Sequence, residues 1–160
     1  MIDSYLQQIN WAKSNKNTID KTLKRLKTKK EADRLANDLH YEVFAKIDCL
    51  NCANCCKTTG PLLTSKDISR VSSRLKMKEQ DFITTYLRID EDQDYVFKTM
   101  PCPFLLEDNY CSIYEDRPRA CRAFPHTDQK GQMNIANLTR KNARICPAVS
   151  SIMQKLMMVS

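Results

Sequence analysis

Eight cysteines and only two histidines, His40 and His126, make sulfur the soft ligand this chain carries in quantity. Four thiols stand in one run, Cys49-x-x-Cys52-x-x-Cys55-Cys56, and four are dispersed at Cys102, Cys111, Cys121 and Cys146. Two residues between cysteines let one turn of backbone aim both thiolates at one ion, a spacing that zinc and iron–sulfur sites share. A second group from distant sequence completes such a ligand shell, and metal binding then becomes folding energy because it clips loops to a core. Metal ligation by these cysteines is therefore the chemistry to expect.

Two blander uses of cysteine compete with it. Buried free thiols behave as small hydrophobes, but the run lies among Asp48, Asn51, Asn54 and Lys57, which do not make an apolar face. Disulfides belong to oxidising compartments, and adjacent Cys55 and Cys56 would need two different partners. The identity of the metal stays open at this level. Eight thiolates suffice for two closed tetrahedral zinc sites. They equally suffice for an iron–sulfur cluster with spare thiols, and Cys49, Cys52 and Cys55 with a remote Cys146-Pro147 echo in part the ferredoxin run, in which a Cys-Pro follows more closely. An iron–sulfur cluster is the favoured cofactor and zinc the alternative.

Around the dispersed cysteines lie Arg117, Arg119, Arg122, Arg140, Lys141 and Arg144, with Asp128 the single acid between Arg117 and Cys146. Cations near thiolates lower their pKa and offset the negative charge of a multi-thiolate site. Arg117 and Arg122, close to Cys121, are the candidates to support the cofactor from behind its ligands. An enzyme would need an open metal position and an acid or base, for which His126, Asp128 and Tyr114 are the residues available. No paired nucleophile and base is legible. The acidic stretch Asp90-Glu91-Asp92-Gln93-Asp94 lacks the glycine and closing glutamate of a calcium loop and reads as a solvated turn. With Gly60 and Gly131 the only glycines, glycine-rich phosphate-binding loops are excluded.

The elements that must position these residues are mostly helical. The 160 residues are 42% hydrophobic and 28% charged, within the globular range. From Ser4 to about Ala45 there is neither Pro nor Gly, and apolar residues recur at helical spacing. One short helix and one long amphipathic helix are expected there, broken near Ser14 to Asn17 with Asn17-Thr18 as cap, and with Trp11 and the leucines as packing residues. Thr64-Ser65-Lys66-Asp67 reads as a capping box opening a helix through Ile68, Val71 and Leu75. A further helix from Met77 to Glu79 carries Phe82, Ile83, Tyr86 and Leu87. Tyr95–Phe97 and a small hairpin turning at Glu107-Asp108-Asn109 supply the β-structure. One helical turn at Arg119–Arg122 and a last helix starting at Pro147 complete the reading.

Net charge is +7, and Lys21, Lys24, Arg25, Lys27, Lys29 and Lys30 form a basic cluster without one acid. It surrounds Leu23 and Leu26 and lacks interleaved aromatics, so it reads as the solvated face of a helix and not as a nucleic-acid footprint. No signal-peptide pattern and no apolar stretch of membrane-spanning length occurs. A soluble cytoplasmic protein is expected, without membrane or nucleic-acid partners and with a protein redox or interaction partner as the open possibility.

The cysteine spacing resembles that of the YkgJ-like cysteine-cluster family, the C-x-x-C-x-x-C-C domain described as chelating zinc or iron. The matching segments are Cys49 to Cys56, Leu63 to Ile68, Cys102-Pro103-Phe104-Leu105, Cys111-Ser112-Ile113-Tyr114, Arg117 to Arg122 and Phe124-Pro125. The resemblance runs from about Cys49 to Cys146, outside the N-terminal helices, and implies that all eight cysteines are ligands. The fold expected is mainly α with a small β-hairpin, an N-terminal helical segment over 1–46 preceding a metal-clipped cysteine-cluster domain over 47–160. The function expected is metal binding for electron transfer, redox sensing or cluster handling. A zinc-stabilised interaction module is the first alternative and a metal-dependent enzyme the second.

Overall fold

The computed structural model describes residues 2–159. In chain order its helices are α1 (Ile2–Ser14), α2 (Lys16–Leu26), α3 (Ala32–Phe44), α4 (Cys49–Cys52), α5 (Asn54–Thr58), α6 (Ser65–Arg74), α7 (Glu79–Tyr86), α8 (Arg119–Ala123), α9 (Ala136–Ala143) and α10 (Pro147–Val159). Its strands are β1 (Leu62–Leu63), β2 (Leu87–Ile89) and β3 (Tyr95–Phe97). This is the mainly α fold with a little β that the sequence implied. The chain forms two units, one made of the residues up to Cys52 together with Pro125 onward, the other of Ala53–Phe124.

The first unit is a helical bundle. Ile19, Leu23 and Leu26 of α2, Leu39 and Val43 of α3, and Val149, Ile152, Met153 and Leu156 of α10 share one apolar core, with Trp11 packed against it. Two departures from the sequence reading fall here. A third helix replaces the single long one, because the chain turns at Lys27–Glu31, where Thr28 Oγ1 donates to Arg25 O. No Pro or Gly marks that turn. The like-charged Lys24, Lys27 and Lys30 repel at helical i, i+3 spacing and weaken a continuous helix there. The break before α2 falls at Asn15, within the expected Ser14–Asn17, but the expected cap Asn17-Thr18 lies inside α2, and Asn15 Nδ2 donates back to Trp11 O. Helix α9 and the 3-10 turn Gln132–Ile135 were not anticipated. Asp33 holds that turn from α3, its carboxylate accepting from Gly131 N at 2.9 Å and Met133 N at 3.2 Å. Arg140 of α9 pairs with Asp20 of α2 at 3.2 Å, so this member of the basic set serves packing.

In the second unit the order β1-β3-β2 gives a three-stranded antiparallel sheet, with Leu63 opposite Tyr95 and Leu87 opposite Phe97. The anticipated hairpin around Glu107–Asn109 is realised as one antiparallel bridge between Leu105 and Cys111. The acidic stretch is the β2–β3 turn, in which the Asp90 carboxylate accepts from the N–H groups of Asp92 and Asp94. Helices α6 and α7 cover the sheet. Their Ile68, Val71 and Phe82 join Leu63, Leu87, Phe97, Phe104 and Ile113 in the core. Phe104 is the hub, 5.6 Å edge-to-face from Phe97, 5.1 Å from Tyr86 and 6.4 Å stacked on Phe82. Phe82 is fully buried. Phe82→Ala should therefore cost about 3–5 kcal/mol, read as a lowered urea midpoint for the transition that exposes Tyr86 and Tyr95; a loss below about 1 kcal/mol would mean that the cluster collapses around the hole.

Candidate metal centre

The unit boundary falls inside the cysteine run. Cys49 and Cys52 form the single turn α4, Cys55 and Cys56 lie in α5, and buried Ala53 between them takes the left-handed conformation with φ 48°. A non-glycine residue there costs about 1–2 kcal/mol, and such strain persists only where surrounding structure imposes it. It splits the run into two turns instead of one continuous helix.

None of the eight cysteines is in a disulfide. In the second unit Cys55 Sγ lies 4.0 Å from Cys56 Sγ. The Cys102 N–H donates to Cys56 O at 2.8 Å, and Leu105 N–H donates to Cys102 O at 3.0 Å. Leu105 in turn bridges Cys111. Three thiols thus hang from one small piece of backbone. Burial pushes the Cys102 thiol up to about 11, against N–H donation from Phe104 and Leu105, and the Cys56 and Cys111 thiolates add to the rise. Burial raises Cys111 as well, against an N–H bond from Ile113, with Cys56 adding to the rise and Arg117 opposing it. Cys121 rises to about 12, from burial and then from Cys56, Cys102 and Cys111, with Arg117 again opposing. Cys56 is held down at about 7, first by its hydrogen bond with Cys55 and also by Lys57, against burial. Cys56, Cys102, Cys111 and Cys121 are consequently four thiols in mutual electrostatic reach.

In the helical unit, Cys146 is the residue before α10, and the N–H groups of Val149 and Ala148 work to lower its thiol. Burial nonetheless pushes this thiol up to about 12, with Cys49 and Cys52 adding to the rise. Helix α4, which carries those two, packs on α1, and Asp48 N–H donates to Tyr5 Oη at 3.3 Å.

Among the described residues no three Cys, His, Asp or Glu side chains already converge at ion-holding distance. The donor set nevertheless fits a thiophilic metal. The grouped donors are all sulfur outside any disulfide, the donor type that zinc and iron prefer. The raised thiols are protonated at neutral pH and lose those protons when a cation offsets the repulsion among them.

Of the supporting residues, Arg117 is the cation that opposes the rise of Cys111 and Cys121. Its guanidinium lies 3.8 Å over the Tyr114 ring and donates to Tyr114 O at 2.6 Å, so Tyr114 is a platform for it. Arg122 lies in α8 one residue beyond Cys121. His126 adopts a left-handed backbone with φ 66° and pairs through Nδ1 with Gln129 at 3.2 Å.

Sequence reasoning missed the residue that sets Cys121. Asp67 closes the anticipated capping box with Thr64, and its Oδ1 also accepts from Arg119 N–H at 3.0 Å and Arg70 Nη2 at 2.6 Å. Arg70 donates onward to Asp116 O and Arg117 O. One buried carboxylate therefore fixes the start of α8, two residues before Cys121. An arginine three residues after the box acid is the only local sign of it.

Comparison with known proteins agrees with this chemistry. A family model described as "CxxCxxCC: Putative zinc- or iron-chelating domain" matches residues 48–147. An uncharacterised protein of Methanocaldococcus jannaschii is 30% identical over 84 residues, 51% of this chain and 45% of the relative, so the chain spans less than half of that relative's length. No solved structure matches. With the family's signature in the run Cys49–Cys56 and the model covering Cys49 through Cys146, the chain belongs to the CxxCxxCC family.

Proposed function

We propose that this chain is a cytoplasmic metal-binding protein that holds an iron–sulfur cluster through its cysteines and serves electron transfer, redox sensing or cluster handling. The observation that supports the reading is the backbone linkage that gathers Cys56, Cys102 and Cys111 in one small unit, the Cys102 N–H to Cys56 O bond at 2.8 Å and the bridge between Leu105 and Cys111. A bound cluster would supply one-electron exchange, and Arg117 offsets charge beside Cys111 and Cys121. The family description, which names zinc or iron, supports chelation and leaves the choice of metal to experiment.

Zinc is the second reading, favoured by the set of four thiols within one small unit, since four protein thiolates make a closed structural site. Protein purified without chelator under anaerobic conditions separates the two. Iron with acid-labile sulfide and a brown colour bleached by dithionite is the expected result. A colourless protein with stoichiometric zinc would replace it by the structural reading, and the absence of both metals would remove the two together.

A further inference from the structure

We infer that the cysteines serve two metal centres with separate ligand sets, Cys56, Cys102, Cys111 and Cys121 in one and Cys49, Cys52 and Cys146 in the other. The inference rests on the metal-binding reading above and adds to it how the ligands divide.

Three independent features follow the same division. The first is the chain itself: Cys56, Cys102, Cys111 and Cys121 all lie within Ala53–Phe124, whereas Cys49, Cys52 and Cys146 all belong to the helical unit. The second is the surface each thiol rests on. Cys102 and Cys111 pack against the core of Phe82, Phe97 and Phe104, and Cys146 packs against the other core, that of Val149 and Ile152. The third is the local backbone. Cys56 and Cys102 are joined by a main-chain hydrogen bond of 2.8 Å, Leu105 links Cys102 to Cys111, and α8 with Cys121 packs on β1. Cys146 directly precedes α10, and α4 with Cys49 and Cys52 packs on α1 of the same bundle.

The chemistry of the two sets differs. Four thiolates within one unit complete a shell without help from any other molecule, as a tetrahedral metal or a cluster requires. The three-cysteine set lies on two short or terminal pieces of helix, α4 and the start of α10, and so gathers only when those ends are held. Cys55, beside Cys56, is not required for the four-thiol set.

The test uses the full chain, purified anaerobically without chelator. Metal is withdrawn in steps with a chelator, newly exposed thiols are capped with iodoacetamide, and the caps are mapped by peptide mass spectrometry. Cys56, Cys102, Cys111 and Cys121 should become reactive as one block and Cys49, Cys52 and Cys146 as another. In parallel, Cys102→Ser with Cys121→Ser and Cys49→Ser with Cys52→Ser should each retain part of the metal, the two retained parts adding to the wild-type content. Cys55→Ser should keep the metal of the four-thiol block. Loss of all metal in either double variant, or blocks that mix the two sets, would overturn the division. Should a double variant fail to fold, the labelling of the unaltered chain decides alone. Failure of the metal reading itself is distinct, because it shows as wild-type protein without metal before any chelator or substitution.

Discussion

Replacing Asp67 by Ala should lower the stability of the Ala53–Phe124 unit by about 3–5 kcal/mol, the cost of removing one partner of a buried ion pair. The carboxylate is 2% exposed and accepts four hydrogen bonds, from Thr64 N at 2.9 Å, Thr64 Oγ1 at 2.8 Å, Arg119 N at 3.0 Å and Arg70 Nη2 at 2.6 Å. Alanine removes a helix cap and leaves Arg70 without its counter-charge. Asp67→Asn keeps the shape and should cost less, about 1–2 kcal/mol, because the amide can still accept some of these bonds. The same bonds set a pH dependence. Burial works against the charge, but the bonds from Thr64, Arg119 and Arg70 hold the carboxyl at about 2, below the roughly 3.9 of an unfolded Asp. A depressed native pKa stabilises above the unfolded value and loses that contribution as pH falls through the native one. Acid unfolding of this unit should thus steepen between about pH 4 and pH 2, and Asp67→Asn should flatten it. Because Asp67 also fixes Arg119, metal held by Cys121 should dissociate faster in Asp67→Ala. Unchanged release rates with unchanged stability would show that α8 is held by other means.

How much of this was legible depended on the range of the interaction. The capping box at Thr64–Asp67 and the start of α10 at Pro147 are local patterns, written within four residues, and both stand in the structure. Phe82 follows from helical periodicity in the same way. The turn at Lys27–Glu31 carries no breaker residue, so only the packing of α2 and α3 on a common core reveals it. The bond from Arg119 N to Asp67 spans 52 residues, and nothing in either segment announces the other. The cysteines show both limits at once. Their spacing marks them as candidate ligands, but Cys102, Cys111 and Cys121 lie nine and ten residues apart without a period that assigns partners. One backbone bond at Cys56 and one bridge at Leu105 bring the segments of Cys56, Cys102 and Cys111 together.

Withdrawing the metal should unfold the Ala53–Phe124 unit and leave the helical core standing. Among the described residues the buried apolar cluster of that unit has eight members and that of the helical unit thirteen. Small domains bury a smaller fraction of their surface and are marginal on core alone, so they lean on staples. A structural metal on four thiolates supplies an apparent binding free energy of about 10–16 kcal/mol, large against the roughly 5–15 kcal/mol net stability of a whole domain. Withdrawal also leaves four thiols whose burial is no longer offset by a cation. Trp11, the one tryptophan, packs on the helical core and reports on that unit by itself. Chelator should therefore abolish hydrogen-exchange protection over α7, β2 and β3 while Trp11 emission stays where it was. The loss should be reversed by restoring the metal anaerobically, with the midpoint shifting to higher chelator as metal is added, as mass action requires. A single transition in which Trp11 emission and the sheet amides move together would mean that the two units share one stability. Protection that survives complete metal removal would show that the eight-residue cluster around Phe104 suffices, and that the cysteines bind metal without holding the fold.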